Sequence, residues 1–298
     1  MQRQIDWKLS RRSKNVRRSK EEPGMTLNVG WYTTAGGSGS KAMFESVIDS
    51  INAGVLDAKI SFVFVNRELG ESTATDKFMD IVKENNIPLV AKSSVNFRKA
   101  AGEPISRAKD QLPPWRYRFD KEILDLTEQY PADIGVMAGY MLIFTGSFVE
   151  KRLLLNLHPA LPSGPIGTWQ DVIHELMRSN VRTTGVMAHL AVPEVDRGPP
   201  VTFCSYPLDT QQMMSNLWEN YANYESGTID STHKELLFDA IRKEGLRREP
   251  IFLVATLRRM AQGFIKDSDG SLISNHSLPL DLTQDVEELL EASRAEND

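Results

Sequence analysis

From Met25 onward short apolar runs alternate with amphipathic ones, and that rhythm restricts the architecture more than any other feature of the chain. Leu27-Asn28-Val29-Gly30-Trp31-Tyr32 reads as a buried strand. The small-residue turn Ala35-Gly36-Gly37-Ser38-Gly39-Ser40 follows, and Met43, Phe44, Val47, Ile48 and Ile51 then recur at helical spacing. Residues 59–65 form a second strand rich in Val, Ile and Phe, residues 73–85 a helix, and residues 88–91 a short strand. This order, βαβαβ, opens a doubly wound, mostly parallel α/β sheet.

Residues 93–114 are polar and basic and end on Pro113-Pro114, which reads as a long loop. A helix is expected over 117–129 and strands over 133–138 and 152–157. Two further strands, 184–192 and 201–206, are joined by a Pro/Gly turn and suit an antiparallel edge. Beyond Pro207 helices are expected over 209–223, 231–245 and 249–262. The tail, 282–295, places Leu282, Val286, Leu289 and Leu290 at helical spacing on an acidic background. The resulting division is a basic flexible leader over 1–24, a catalytic domain over 25–208, and a helical C-terminal extension over 209–298 packed on it.

The net charge of −5 conceals two opposite ends: residues 1–22 carry eight Lys/Arg, and residues 281–298 carry seven acids against Arg294 alone. The arm lacks the apolar core of a signal peptide, and Pro23-Gly24 separates it from the first strand, so it reads as a solvated leader, with Met25 as an alternative start. No apolar run approaches the roughly 20 residues of a membrane span. Cys204 is the single cysteine, so an internal disulfide and paired-cysteine zinc sites are excluded. A cytoplasmic protein is expected, without metal, membrane or nucleic-acid partners; a homodimer is left open.

Three places carry chemistry. Gly37-Ser38-Gly39-Ser40-Lys41-Ala42 has the form G-x-G-x-x-A between strand and helix, where backbone N–H groups can meet an anion. A dinucleotide site also wants a carboxylate at the end of the second strand. That strand ends in Val65-Asn66-Arg67, and the spacing of a Walker A loop is absent too. A phosphate cradle and a purely structural turn remain. In Leu153-Leu154-Leu155-Asn156-Leu157-His158-Pro159, Asn156 and His158 share one face of a strand and emerge at its carboxyl end, where open α/β sheets bind ligands. A strand-end cap is the alternative there. Asp196, in Pro193-Glu194-Val195-Asp196-Arg197-Gly198-Pro199, reaches that site only if the turn folds back on it. His174-Glu175 is not HExxH, and no G-x-S-x-G elbow occurs.

In order along the chain come Gly37-Ser38-Gly39-Ser40, Ala138-Gly139-Tyr140-Met141, Asn156-Leu157-His158-Pro159-Ala160-Leu161-Pro162, Gly185 to His189, and Asp196-Arg197-Gly198-Pro199. This ordered set resembles the 10-formyltetrahydrofolate-dependent formyltransferase family, its closest branch being the phosphoribosylglycinamide formyltransferases, over roughly residues 25–208. The resemblance implies a Rossmann-like fold and 10-formyltetrahydrofolate as formyl donor. Asn156, His158 and Asp196 are then the catalytic residues, and Gly36, Gly37, Ser38, Gly39 and Ser40 hold the substrate phosphate. Arg116, Met141, Leu142, Ile143 and His189 are expected at the cofactor or substrate. The implied reaction is formyl transfer to the amine of glycinamide ribonucleotide, in purine biosynthesis. Asn156 and a protonated His158 would donate to the formyl oxygen, and Asp196 would favour the imidazolium and relay the amine proton.

Departures concern the acceptor. Leu142 stands where the family often carries Arg, the 160–167 stretch lacks a basic residue, and the loop with Arg98, Lys99, Arg107 and Lys109 has no counterpart. Another amine, such as an amino sugar nucleotide, or a non-catalytic folate- or nucleotide-binding relative, is the alternative. A β-barrel for tRNA is not expected in the helical, acidic C-terminal part.

Overall fold

The computed structural model describes residues 26–105, 111–194, 196–210, 212–225, 232–266, 272–274 and 278–295. The leader therefore lies outside the described residues. The first half runs β1 (Leu27–Thr33), α1 (Ser38–Asn52), β2 (Ala58–Val65), α2 (Thr73–Glu84), β3 (Leu89–Ala91), α3 (Ser94–Ala100), α4 (Pro114–Thr127), β4 (Ile134–Met137), α5 (Gly146–Val149) and β5 (Leu154–His158). After these come α6 (Trp169–Arg178), β6 (Thr183–Leu190), β7 (Pro200–Pro207), α7 (Gln212–Glu225), α8 (Thr232–Gly263), β8 (Phe264–Lys266), β9 (Leu272–Ser274), β10 (Leu280–Asp281) and α9 (Thr283–Ala295).

One eight-stranded sheet has the order β10-β7-β6-β5-β4-β1-β2-β3. From β3 to β5 neighbouring strands are parallel, and β6 and β7 each run antiparallel to the strand before them. The doubly wound sheet with an antiparallel edge is thus present. The chain winds outward from β1 to β3, then returns to place β4 on the other side of β1. Strand order reverses between β1 and β4, the position at which open α/β sheets leave a crevice.

Both faces of the sheet are covered, which is why β1, β2 and β4 are largely apolar on both sides. Val63 and Val65 of β2 join the larger core, with Trp31, Phe44 and Phe252. The intervening Phe62 and Phe64 join a second, aromatic core with Tyr32, Trp115, Phe119 and Phe148 on the opposite face. There Tyr140 and Phe144 stack at 4.4 Å between ring centroids, and Phe144 and Phe148 at 4.0 Å.

Three expectations differ from the structure. Residues 93–114 are not all loop: Ser93 caps α3 by accepting from the Asn96 amide at 3.0 Å, and Phe97 packs on Phe119 in the aromatic core. Arg107 and Lys109 lie outside the described residues. The helices expected over 231–245 and 249–262 are one, α8, which runs through Pro250. A mid-helix proline forfeits one backbone hydrogen bond and costs about 3 kcal/mol. Here Leu237 and Ile241 before it and Phe252, Leu253 and Leu257 after it bury in the same core, an opposing gain of greater size. The region 209–298 is also not wholly helical. It includes the β8–β9 pair and contributes β10, which lies parallel beside β7 at the sheet edge. These two- and three-residue strands lack the helix-strand alternation that marks β3 in the first half. Among the described residues no helix is long and apolar enough to cross a membrane.

Since α8 shares the main core, Phe252→Ala should lower the stability of the whole protein by about 3–5 kcal/mol. Denaturant unfolding followed by tryptophan fluorescence should show one shifted transition. A separate transition for the C-terminal region would contradict the shared core.

Candidate active site

The carboxyl ends of β1, β4 and β5 deliver the sequence-predicted residues to the crevice at the strand-order reversal. Beyond β1 the chain enters Gly36 to Ser40. Gly37 is the N-cap of α1, whose first turn holds no acid and receives no side-chain cap; the Ser40 hydroxyl donates to the Gly37 carbonyl at 2.9 Å. Such a helix start presents unneutralised N–H groups.

Beyond β4 runs a strap, residues 138–145, and the two segments are joined. The Thr34 amide donates to the Gly139 carbonyl at 3.1 Å, and the Met141 amide to Thr34 Oγ1 at 2.9 Å. Gly139 has φ +68, and a Cβ there would lie 2.9 Å from the Ser40 Cβ, so only glycine allows this approach. The far end of the strap rests on α4: the Arg116 guanidinium donates to the Ile143 carbonyl, and Asp120 Oδ2 accepts from the Thr145 amide at 2.6 Å. Arg116 and Asp120 side chains are both 1% exposed and stand 3.8 Å apart. Arg116 is thus turned inward onto the strap. Met141 is 72% exposed, while Leu142 and Ile143 are half-buried.

On β5, Asn156 stands opposite His189 of β6 in the antiparallel register, so their side chains share a face. Asn156 Nδ2 lies 3.1 Å from His189 Nε2 and 3.3 Å from Asp196 Oδ1. His189 Nδ1 lies 3.1 Å from the Leu190 carbonyl, which can only accept. Nδ1 therefore carries the proton and Nε2 accepts from Asn156. Burial holds the His189 imidazole below its ordinary pKa, against the Leu190 carbonyl and the Asp196 carboxylate, which act the other way; it is a neutral ring. Both hydrogens of the Asn156 amide are engaged, one by the ring and one by the carboxylate. The opposite amide orientation would set oxygen against oxygen.

The turn after β6 does fold back on the site. Asp196 has φ 55, a left-handed conformation that Asp tolerates better than most residues, and the Leu190 amide donates to the Pro199 carbonyl at 3.1 Å. A Cβ on Gly198 would sit 1.6 Å from the Leu190 carbonyl oxygen and 3.2 Å from His189 Nδ1, so glycine is obligatory there.

His158 is placed differently from the pairing expected. It is buried on the same strand face as Asn156, but its Nε2 donates to the Pro165 carbonyl at 2.8 Å. The imidazole that approaches Asp196, at 3.8 Å, is His189. The rings of His158 and His189 lie 6.5 Å apart between centroids. Sequence reasoning had no role for Thr34, Asp120 or Gly198; only Gly198 stood in a quoted motif, and a threonine just past a strand carries no sequence signal. Among the described residues no group of three His, Cys, Asp or Glu side chains could hold a metal.

Residues 36–230 match the family model described as formyl transferase, well over half of the chain. The phosphoribosylglycinamide formyltransferase of Saccharomyces cerevisiae is 27% identical over 174 residues, 55% of this chain and 77% of that protein. The human trifunctional purine biosynthetic protein adenosine-3 is 28% identical over 143 residues, 47% of this chain and 14% of that longer protein. Among solved structures, phosphoribosylglycinamide formyltransferase of Coxiella burnetii aligns with a TM-score of 0.55 at 16% identity, covering 83% of this chain and 96% of that one. At that identity the likeness concerns the fold.

Burial raises the Asp120 carboxyl from 3.8 to about 6, against the Thr145 amide and Arg116, which act the other way. The folded protein then binds this proton more tightly than the unfolded chain does, so the group's contribution to stability falls as pH rises from about 4 to 6. Asp120→Asn should remove that component of the pH dependence in urea titrations between those limits. An unchanged slope would assign it to other groups.

Proposed function

The chain belongs to the formyl transferase family, and from that premise we propose that it transfers a formyl group from 10-formyltetrahydrofolate to the amine of glycinamide ribonucleotide, a step of purine biosynthesis. The observation that carries the reading is the Asn156 amide held between a neutral His189 and the Asp196 carboxylate, beside the glycine loop. The residues present fit such a donor. Asn156 supplies N–H hydrogens to an acyl oxygen, and the strap offers an exposed Met141 and half-buried Leu142 and Ile143 to an aromatic ring system. The folate, when bound, supplies the activated formyl group.

The chain's own residues have these parts. Negative charge grows on the formyl oxygen as the amine attacks, and Asn156 turns the hydrogen it gives Asp196 toward that oxygen. Asp196, released from this bond, takes the proton leaving the amine, directly or through water, and that proton passes to the folate nitrogen as its bond to the formyl carbon breaks. His158 already donates through Nε2 to Pro165; once protonated, its Nδ1–H is a second donor to the same charge. His189 fixes the rotamer of Asn156. Gly36 to Ser40 receive the phosphate of the acceptor at the start of α1. Arg116 acts through the strap rather than by touching substrate.

Cys204, the single cysteine, is buried and its thiol is pushed up to about 12 by burial, which suits an inert thiol and a cytoplasmic setting.

Purified protein with 10-formyltetrahydrofolate and glycinamide ribonucleotide should show acceptor-dependent loss of the formyl group by absorbance. Turnover without acceptor would make water the acceptor, and folate binding without either would send the search to other amines. Asn156→Ala, His158→Ala and Asp196→Ala should each lower kcat by about 100- to 1000-fold with the fold intact. His189→Ala should cost less, since it acts through Asn156. Full activity in any well-folded variant of the first three would remove that residue from the mechanism.

A further inference from the structure

Arg67 stands two residues beyond β2, in the stretch where a dinucleotide-binding sheet would carry a carboxylate. Arg67 turns toward the glycine loop: its Nη1 and Nη2 lie 3.4 and 3.8 Å from the point that a Cβ on Gly36 would occupy. Nη1 also lies 3.1 Å from Thr75 Oγ1. Thr75 is fully buried, and its hydroxyl lies 3.3 Å from each of the Thr34 and Ala35 carbonyls. The guanidinium is thereby tied to the backbone that opens the loop. Among the described residues no carboxylate stands within ion-pair distance of it, although it is half-buried. A held, partly desolvated cation without a counter-charge is a group arranged for an anion supplied from outside.

The other end of the loop meets a second guanidinium. Arg242 of α8 places Nη2 3.8 Å from the Cβ point of Gly39, and Glu249 Oε2 lies 4.0 Å from the same point. Arg242 Nη1 donates to Glu249 Oε1 at 2.7 Å, and its guanidinium covers the Trp169 ring at 4.6 Å. Glu249 offsets much of the charge of Arg242, whereas nothing comparable offsets Arg67.

We propose that Arg67 is a recognition residue for the acceptor's phosphate, contacting its oxygens from the Gly36 end of the loop, with Arg242 as a weaker contact at the Gly39 end. The ligand class is a phosphomonoester dianion, which the planar fork of an arginine pairs through two oxygens. This deepens the reading of the acceptor given above and rests on it.

The test compares glycinamide ribonucleotide with its dephosphorylated riboside as acceptors, in the wild type, Arg67→Gln and Arg67→Lys. Arg67→Gln should raise KM for the phosphorylated acceptor about 10- to 100-fold, with kcat nearly unchanged. It should leave the riboside's kcat/KM as it was, so that the preference for phosphate collapses. Arg67→Lys should fall between the two. An unchanged preference in Arg67→Gln, or equal losses on both acceptors, would overturn the proposal, since a purely structural arginine affects both alike. Calorimetric titration with ribose 5-phosphate separates the two readings. If the wild type transfers no formyl group to either acceptor, the proposed function falls, and ribose 5-phosphate binding that weakens in Arg67→Gln still supports this one. Equal binding by both proteins, or none by the wild type, overturns it.

Discussion

The crevice depends on what happens two residues beyond the β1–β4 ladder. The two strands are parallel neighbours, but their continuations part, one into the glycine loop and α1 and the other into the strap. Thr34 spans that divergence with its amide and its hydroxyl, giving one hydrogen bond to Gly139 and accepting one from Met141. Gly139 then lies against Ser40, an approach that a side chain would prevent. Loop and strap become one surface. Two ligands held by them would keep a fixed separation, which a bimolecular transfer requires. The buried Arg116–Asp120 pair anchors the far end of the strap by its carbonyl at Ile143 and its amide at Thr145.

Charge is distributed unevenly along this surface. At the end near β5 burial keeps His189 neutral, so it does not neutralise Asp196, whose carboxylate is the base of the proposed reaction. At the other end the start of α1 has no acid in its first turn and is flanked by Arg67 and Arg242. An acceptor with a phosphate at one end and an amine at the other is oriented by this separation alone. The amine would meet Asp196 and the phosphate the loop, and the reversed pose would set phosphate against carboxylate.

The alternating rhythm from residue 25 to residue 208 was enough to read the doubly wound sheet and its antiparallel edge, because apolar strands set between long amphipathic helices stand out from the polar connections around them. What escaped lies outside that alternation. β10 has two residues, β8 and β9 have three each, and α3 is announced only by the Ser93 cap. The break expected at Pro250 is overridden by packing on both sides of it. At the site, strand alternation correctly placed Asn156 and His158 on one face. The partner of Asp196 was not legible. Which imidazole it approaches is decided by the β5–β6 register and by a left-handed turn over Gly198, and both are long-range properties. Arg67 was legible only as a missing carboxylate, and its direction depends on Thr75, eight residues away on α2.

The glycines of the loop separate structural from functional demands. A Cβ on Gly39 would come within 3.1 Å of Leu246 Cδ2, so the packing of α8 on α1 favours a small residue there. A Cβ on Gly36 would lie in contact with the Arg67 guanidinium, 3.4 Å from Nη1. Gly37 differs from both. Its φ of −152 is extended backbone open to any residue, and a Cβ on it would meet nothing within 4 Å. Neither conformation nor packing among the described residues calls for glycine at 37, yet a side chain there would stand over the N–H groups that begin α1. Close approach of the phosphate in the proposed reaction would account for the absence of a side chain, as a purely structural turn would not.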